Sequence, residues 1–216
     1  MSGVEIEVEA ALVEVPGWGS LLGRRGGERV VAVGAVGRRA SIPEGALWRV
    51  PDGVGREEAL LLPFVAAAED VAVGLRGAGR VGVRAPFPSA PAVAAALRAA
   101  KIEVAAGEAS GPPLDGFVGG GEPASWGPGL ARVRPGGEVR LLLPPGPARA
   151  DFDFYSRVHT RSLHLRALRT PRPPRPGDDA GLLLGRAREL LKETGLAVED
   201  GKGSLWDLRQ AGGANR

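Results

Sequence analysis

The sequence contains no cysteine, and this absence excludes several kinds of site at once. Without thiols the chain has no disulfide, no iron–sulfur cluster, no cysteine nucleophile and no thiolate-bound zinc. Long apolar runs are also missing: none approaches the roughly 20 residues that span a bilayer. The first residues have neither a basic start nor an apolar signal core. We therefore expect a soluble cytoplasmic protein that has no membrane partner.

Lysine is scarce, with three residues against 25 arginines, and the chain has only two histidines and one tyrosine. The 25 acidic residues interleave with the basic ones and leave a net charge of +3, which is mild for 216 residues. One stretch, residues 157–175, carries arginines and no acid, but it lacks the interleaved aromatic residues on which bases stack. We interpret it as a solvated strand and loop and predict no nucleic-acid partner.

Residues 1–54 have the pattern of a small β unit. Apolar and acidic residues alternate from residue 4, and this period of two predicts a half-buried strand over 4–15. Pro and Gly flank Trp18, so a turn is predicted at 16–19. Further strands are predicted over 28–33, 39–42 and 47–50.

Helical and strand patterns alternate after residue 54, which is typical of an α/β domain. Residues 57–75 predict a helix that is broken or kinked near Pro63. Residues 80–85, 91–100 and 102–106 predict a strand, a helix and a second strand parallel to the first. The remaining predicted elements are strands over 116–118, 138–143 and 162–168, a short helix over 124–133, and a helix from the capping pair Asp178-Asp179 to about Thr194.

Six short segments, taken in chain order, carry a family resemblance. They are GERVV at 27–31, ASIP at 40–43, LWRVPDG at 47–53, EEA with LP at 57–59 and 62–63, RPGGEV at 134–139, and FDFY with SLHL at 152–155 and 162–165. The first four resemble the passage from the GroES-like domain into the nucleotide-binding domain of medium-chain dehydrogenases/reductases, the superfamily of the zinc-type alcohol dehydrogenases. The fifth is similar to the Pro-Gly-Gly turn before that superfamily's fifth sheet strand, and the last to the segment that leads into its sixth.

The resemblance implies a fold class and a domain organisation. The fold would be α/β, with a Rossmann-like parallel sheet domain and a small, truncated GroES-like β domain. The β domain would occupy residues 1–54, and the nucleotide-binding-type domain would occupy 55–170. A C-terminal loop, helix and return segment would occupy 171–216.

The resemblance also implies a homodimer. The predicted strand at 162–168 would be an edge strand that pairs with its copy in a second subunit. Without such a partner, Leu163, Leu165 and Ala167 would lie on an unprotected edge.

A catalytic zinc is not predicted. The β domain that would carry its ligands is shortened, and a site without cysteine would have to use His159 and His164. Both histidines lie near the predicted last strand, far along the chain from where the superfamily places its metal. We therefore predict a protein that is independent of zinc.

A dinucleotide-binding loop needs the pattern G-x-G-x-x-G after the first strand, because the glycines allow a tight turn and let the backbone approach the pyrophosphate. In this chain Ala85, Phe87 and Ala90 take the three glycine positions. Pro86 and Pro88 remove two backbone donors that would face the phosphate. We therefore predict that pyrophosphate binding in the usual manner is impaired.

Other residues favour a dinucleotide, NAD or NADP. Glu108 follows the first glycine position by 23 residues, where the resemblance implies the acid that binds the adenine ribose; the alternative is a surface charge. Ser89 can offer a hydroxyl to a phosphate at the helix N-terminus, or be an ordinary turn residue. Gly119, Gly120 and Gly121 end a predicted strand at the edge where open α/β sheets bind ligands. They would leave room for a nicotinamide or another flat ligand. The alternative is that these glycines only form a flexible loop.

No catalytic residue is assigned. Asp151, Asp153 and Tyr155 are polar groups that can line the same edge, but no His, Lys or Ser is spaced with them as an acid–base pair. Two hypotheses follow. The first is a zinc-independent protein like alcohol dehydrogenases and quinone reductases, which transfers hydride between NAD(P)H and a small carbonyl or quinone. The second is a non-catalytic Rossmann-fold relative, a pseudoenzyme that acts as a dimeric or ligand-binding protein.

Overall fold

The computed structural model describes residues 3–15, 17–106, 110–143, 153–194 and 205–207. The described elements follow in this order: β1 (Gly3–Val15), β2 (Trp18–Arg25), β3 (Glu28–Ala35), β4 (Arg39–Pro43), β5 (Leu47–Arg49), α1 (Arg56–Gly74), β6 (Arg80–Arg84), α2 (Ser89–Ala99), β7 (Glu103–Ala106), β8 (Leu114–Gly120), α3 (Gly127–Arg132), β9 (Val133–Leu143), α4 (Phe154–Arg157), β10 (His164–Arg169), α5 (Ala180–Thr194) and β11 (Leu205–Asp207). Short 3-10 turns lie at Glu44–Ala46, Pro123–Ser125 and His159–Arg161. The chain forms two compact units: unit 1 contains the described residues of Met1–Ala66 and Pro171–Arg216, and unit 2 contains those of Ala67–Thr170.

Unit 1 is built on an antiparallel sheet with the strand order β11-β1-β2-β3-β5, in which β4 also pairs with β1. The predicted alternation of β1 is confirmed, because Ile6 and Val8 are buried while Glu5 and Glu7 are exposed. The buried side chains join a core cluster with Leu21 and residues of β3 and β4.

The turn predicted at 16–19 is wrong at its second half, because Trp18 and Gly19 already belong to β2. A β-carbon at Gly19 would collide with the Leu12 carbonyl of β1, so the missing side chain lets the two strands approach. The adjacent residues Leu21 and Leu22 are both buried, which removes the alternation that would reveal a strand.

Unit 2 is built on a parallel sheet with the strand order β10-β9-β8-β6-β7. If β6 is counted as the first strand of this sheet, the order read from the β7 edge is 2-1-3-4-5, which is a doubly wound arrangement. Residues 107–113 separate β7 from β8 in sequence, and β8 lies on the other side of β6 from β7. The predicted fold class, a Rossmann-like parallel sheet domain with a small β domain, is confirmed.

Three helices differ from the predictions. The short helix predicted over 124–133 is a 3-10 turn followed by α3, and Val133 already belongs to β9. A break or a kink is predicted near Pro63, and the break is absent, because α1 runs through this buried proline as one helix. Its neighbours Leu62 and Phe64 are also buried, and their packing offsets the cost of a proline inside a helix, about 3 kcal/mol. Helix α2 begins at Ser89, two residues earlier than predicted, because Pro88 takes the position before the first turn.

A buried arginine holds the end of α1 against the sheet of unit 2. Arg140 on β9 is buried, and its guanidinium donates a 2.5 Å hydrogen bond to the carbonyl of Gly74, the last residue of α1. Its second nitrogen lies 2.6 Å from a carboxylate oxygen of Glu138. A cation is favourable at this helix end, where free carbonyls carry partial negative charge.

Among the described residues, no helix is both long enough and apolar enough to cross a bilayer.

Candidate functional site

The candidate site lies at the carboxyl ends of β6 and β8. These strands are neighbours, with Arg84 of β6 opposite Gly119 of β8. The chain leaves β6 through α2 toward β7 and leaves β8 through α3 toward β9 on the other side. Open α/β sheets bind ligands in the crevice at such a switch point. The residues at this point are 85–89 and 119–121.

The space beside Gly119 is filled by the protein itself. A β-carbon on this residue would lie 3.0 Å from a ring carbon of Phe117 and 3.1 Å from one of Trp126. The Trp126 ring is fully buried, and its Nε1 donates a 3.0 Å hydrogen bond to the Gly120 carbonyl. Gly119 therefore makes room for an indole from the same unit.

Gly120 is also closely packed. A β-carbon here would lie 2.9 Å from the Ala85 β-carbon and 3.2 Å from Cδ of Pro86. Both Gly119 and Gly120 are buried, whereas Gly121 is exposed with a φ of 71°. The open space for a flat ligand is therefore reduced to the surroundings of Gly121.

Ser89, the first residue of α2, points its hydroxyl into unit 2. Only 2% of the residue is exposed, and its Oγ lies 2.9 Å from Oγ1 of Thr170, which is 3% exposed. Thr170 is held in place because its N–H donates a 3.0 Å hydrogen bond to the Leu143 carbonyl at the end of β9. The hydroxyl at the start of α2 is thus paired within the core.

The first turn of α2 has few backbone donors for an anion. Pro88 and Pro91 have no N–H, and the Ala90 N–H donates a 2.9 Å hydrogen bond to the Pro86 carbonyl. At most the Ser89 N–H remains for an outside phosphate. Helix N-termini bind phosphates through several such groups, so these residues do not fit a pyrophosphate held in the usual manner.

Four polar candidate residues remain, and the structure describes two of them. Glu108 and Asp151 lie outside the described residues. Asp153 is exposed and accepts hydrogen bonds from the Ser156 hydroxyl and N–H, which lower the pKa of the Asp153 carboxyl. Tyr155 is exposed, with its ring centroid 5.2 Å from that of His159. Asp153 therefore caps α4, and the described contacts indicate no proton-transfer role for it.

A metal site is not indicated by the residues present. In the described ranges, no group of three or more His, Asp and Glu side chains is placed to hold a metal ion. Nδ1 of His164 lies 3.4 Å from a carboxylate oxygen of Glu138, and His159 contacts Tyr155. Zinc therefore has no recognisable ligand set in this part of the chain.

Sequence comparisons identify no relatives: no protein family model matches the chain, and no curated protein matches it. Solved structures do match. YhdH of E. coli K-12, with bound NADPH, is 12% identical with a TM-score of 0.56, and the match covers 89% of this chain and 80% of that chain. The quinone oxidoreductase of Thermus thermophilus, also solved in complex with NADPH, is 21% identical with a TM-score of 0.51, and the match covers 88% of this chain and 78% of that chain. CurK enoyl reductase is 12% identical with a TM-score of 0.59, and the match covers 89% of this chain and 79% of that chain. At these identities the likeness is one of fold, and it confirms the resemblance to medium-chain dehydrogenases/reductases at that level.

Proposed function

We propose that this chain, which has the fold of the medium-chain dehydrogenases/reductases, is a zinc-independent and non-catalytic relative that acts as a dimeric or ligand-binding protein. The observation that carries the proposal is the first turn of α2. There Pro88, Pro91 and the Ala90–Pro86 hydrogen bond leave at most the Ser89 N–H for a phosphate. A dinucleotide depends on this helix end for its pyrophosphate, so binding in the usual manner is lost.

The packing at the switch point supports the same proposal. The volume next to Gly120 is taken by Ala85 and Pro86, and that next to Gly119 by Trp126. These contacts are made by the β-carbon of Ala85, the proline ring of Pro86 and the fully buried ring of Trp126, so they do not yield by rotation of a flexible side chain. A flat ligand would have to displace parts of the core.

Independence from zinc rests on the ligand types. The chain has no cysteine and two histidines, and structural or catalytic zinc sites use three or four Cys, His or carboxylate ligands. His159 and His164 are the sole histidines and contact different partners, Tyr155 and Glu138. We also retain the organisation into 1–54, 55–170 and 171–216 as a proposal.

Dimerisation is proposed to use β10. This strand begins at His164, two residues later than predicted, so Leu163 precedes it and is buried in a core cluster instead of lying on the edge. This strand pairs with β9 on one side and is an edge of the parallel sheet in the described part of the chain. The Thr170 N–H points to β9, and the directions of the backbone N–H groups alternate from residue to residue along a strand. The Ala167 N–H therefore points away from β9, toward a partner strand.

A second candidate is hydride transfer between NAD(P)H and a small carbonyl or quinone. It is favoured by the compared structures, since YhdH and the Thermus quinone oxidoreductase both carry NADPH. A bound dinucleotide would supply the hydride chemistry. Glu108 would bind the adenine ribose, with Ser89 and Gly119–Gly121 along the cofactor.

An activity assay separates the two candidates. The purified protein would be incubated with NADH or NADPH and a panel of quinones and small carbonyl compounds, while the cofactor absorbance is followed. The non-catalytic proposal predicts oxidation no faster than without protein. Oxidation whose rate rises in proportion to protein concentration would instead establish the second candidate.

A further inference from the structure

A groove in unit 2 lies apart from the switch point, between α3 and the segment of α4 and the following 3-10 turn. Its volume is about 640 Å³, within the range of roughly 300–1,000 Å³ of small-molecule sites. The apolar part of its lining consists of Ala124, Pro128 and Ala131. The groove can therefore hold the body of a small organic molecule.

Among the described residues, the charged part of the lining is cationic. It consists of Arg157 and Arg161, and no Asp or Glu of the described ranges lines the groove. Arg161 is held in place because its guanidinium donates hydrogen bonds to the carbonyls of Leu130, at 2.7 Å, and Val133. Two guanidinium groups beside one cavity favour an anionic ligand, since Arg binds carboxylates and phosphates with two parallel hydrogen bonds.

Arg157 is positioned by the glycine opposite it. Its Nη1 occupies the place where a β-carbon on Gly127 would lie, so the guanidinium rests directly on the backbone of α3. The carboxylate nearest in sequence, Asp153, accepts hydrogen bonds from Ser156 and is not part of the lining; these bonds, and to a smaller extent the charge of Arg157, lower the pKa of Asp153. The Arg157 side chain is exposed. It can therefore meet a ligand that enters the groove from solvent.

We propose that this groove binds a small organic oxyanion, whose carboxylate or phosphate group contacts Arg157 and whose apolar body lies on Ala124, Pro128 and Ala131. Arg161 adds positive charge at the same wall. The proposal does not depend on whether a dinucleotide binds at the switch point, because none of the residues at 85–89 or 119–121 lines the groove.

The test is a calorimetric titration of the full chain with two probes, sodium benzoate and inorganic phosphate, at constant ionic strength set by chloride. Saturable binding of benzoate alone assigns a carboxylate, and saturable binding of phosphate alone assigns a phosphate group. If both bind, the tighter probe gives the preferred class. If neither binds saturably, the proposal is overturned.

Variants locate the binding. Arg157→Ala is expected to weaken the probe's affinity by about tenfold or more, because a charge-assisted hydrogen bond is lost. Arg76→Ala changes an exposed arginine that follows α1 and does not line the groove; it is the matched control and should bind as the parent protein does. Equal affinity in the Arg157→Ala and parent proteins would place the anion elsewhere and refute the proposal.

A second pair of variants keeps all charges. Gly127→Ala places a methyl group where Nη1 of Arg157 lies, so the guanidinium must move and binding should weaken. Gly185→Ala is the control, since a β-carbon there meets nothing within 4 Å. Circular dichroism and the melting temperature verify that both variants fold. Unchanged probe affinity in Gly127→Ala would contradict the assigned position of Arg157.

Discussion

The hydroxyl oxygens of Ser89 and Thr170 lie 2.9 Å apart although the residues are 81 positions apart in sequence. Both residues are almost completely buried in unit 2. The pair joins the start of α2 to the segment that follows β10, at the helix N-terminus where dinucleotide-binding folds present donors to a cofactor phosphate. Ser89 thus has a structural partner of its own, and its hydroxyl is already engaged within the core.

Removal of one hydroxyl should therefore cost stability. Ser89→Ala leaves the Thr170 hydroxyl buried without a partner, and we expect a loss of about 1–3 kcal/mol in the free energy of unfolding. The double variant Ser89→Ala with Thr170→Val removes both groups and should recover much of that loss. Urea unfolding of the parent, single and double variants measures both effects. A Ser89→Ala protein as stable as the parent would show that the pair contributes nothing.

A side chain at Gly120 should also destabilise the protein. The new β-carbon of Gly120→Ala would lie 2.9 Å from the β-carbon of Ala85, an atom that cannot rotate away. Overpacking of this kind costs about 1–3 kcal/mol, which urea unfolding detects. Gly45→Ala is the control, because a β-carbon there meets nothing within 4 Å. If both variants unfold alike, the crevice at the switch point is more open than these contacts indicate.

The ion pair of Arg172 and Asp178 predicts a pH-dependent stability in unit 1. Arg172 is 3% exposed and binds both carboxylate oxygens of Asp178, at 2.7 and 2.8 Å. The hydrogen bond from Arg172 lowers the pKa of Asp178 below its usual range. A lowered folded-state pKa stabilises the fold above the unfolded pKa of about 3.9, and this contribution is lost as pH falls through the folded-state pKa.

Asp178→Asn is the corresponding variant. It removes the carboxylate that binds both nitrogens of the buried Arg172 guanidinium, and we expect a loss of about 3 kcal/mol at neutral pH. The difference from the parent should shrink below about pH 4, as the parent carboxyl becomes protonated. Asp179→Asn is the control, since Asn caps α5 as well as Asp does. Urea unfolding of the parent and Asp178→Asn proteins at neutral and acidic pH measures this difference in stability. A difference that does not vary with pH would contradict the ion-pair explanation.

The edge-strand dimer has a selective test. Ala167→Pro removes an N–H that points away from β9, so the β9–β10 ladder should persist while pairing with a second copy is blocked. Light scattering should report a dimer for the parent and a monomer for the variant, with Ala167→Ser as a dimeric control. A monomeric parent at micromolar concentration would remove the dimer from the proposed function.

The sequence predicts most elements of this fold because their patterns are local. The alternation of Glu5, Ile6 and Glu7 specifies β1, and Asp179 accepts a 3.0 Å hydrogen bond from the Leu182 N–H at the start of α5, as its cap position predicts. Strand β2 is not predicted because adjacent residues of it are buried. Local patterns carry less information where tertiary packing decides the structure.

The candidate site shows the same limit. The glycines at 119–121 are correctly placed at the end of a strand, but the filling of their space by Trp126 depends on how residues 123–132 pack over β8. Likewise, neither the composition nor the spacing of the sequence indicates that Ser89 faces Thr170. The distinction between a cofactor cleft and a filled core requires the three-dimensional structure, since both need small residues at the same positions.

Titration with NADPH and NADH tests the central claim most directly. A dinucleotide at 100 times its dissociation constant stabilises a protein by about 2.7 kcal/mol, which raises the melting temperature measurably. We predict no saturable shift up to millimolar concentrations of either compound, or a shift that disappears in Arg157→Ala and so belongs to the groove. A saturable shift that persists in Arg157→Ala would contradict the claim that the start of α2 no longer binds a pyrophosphate.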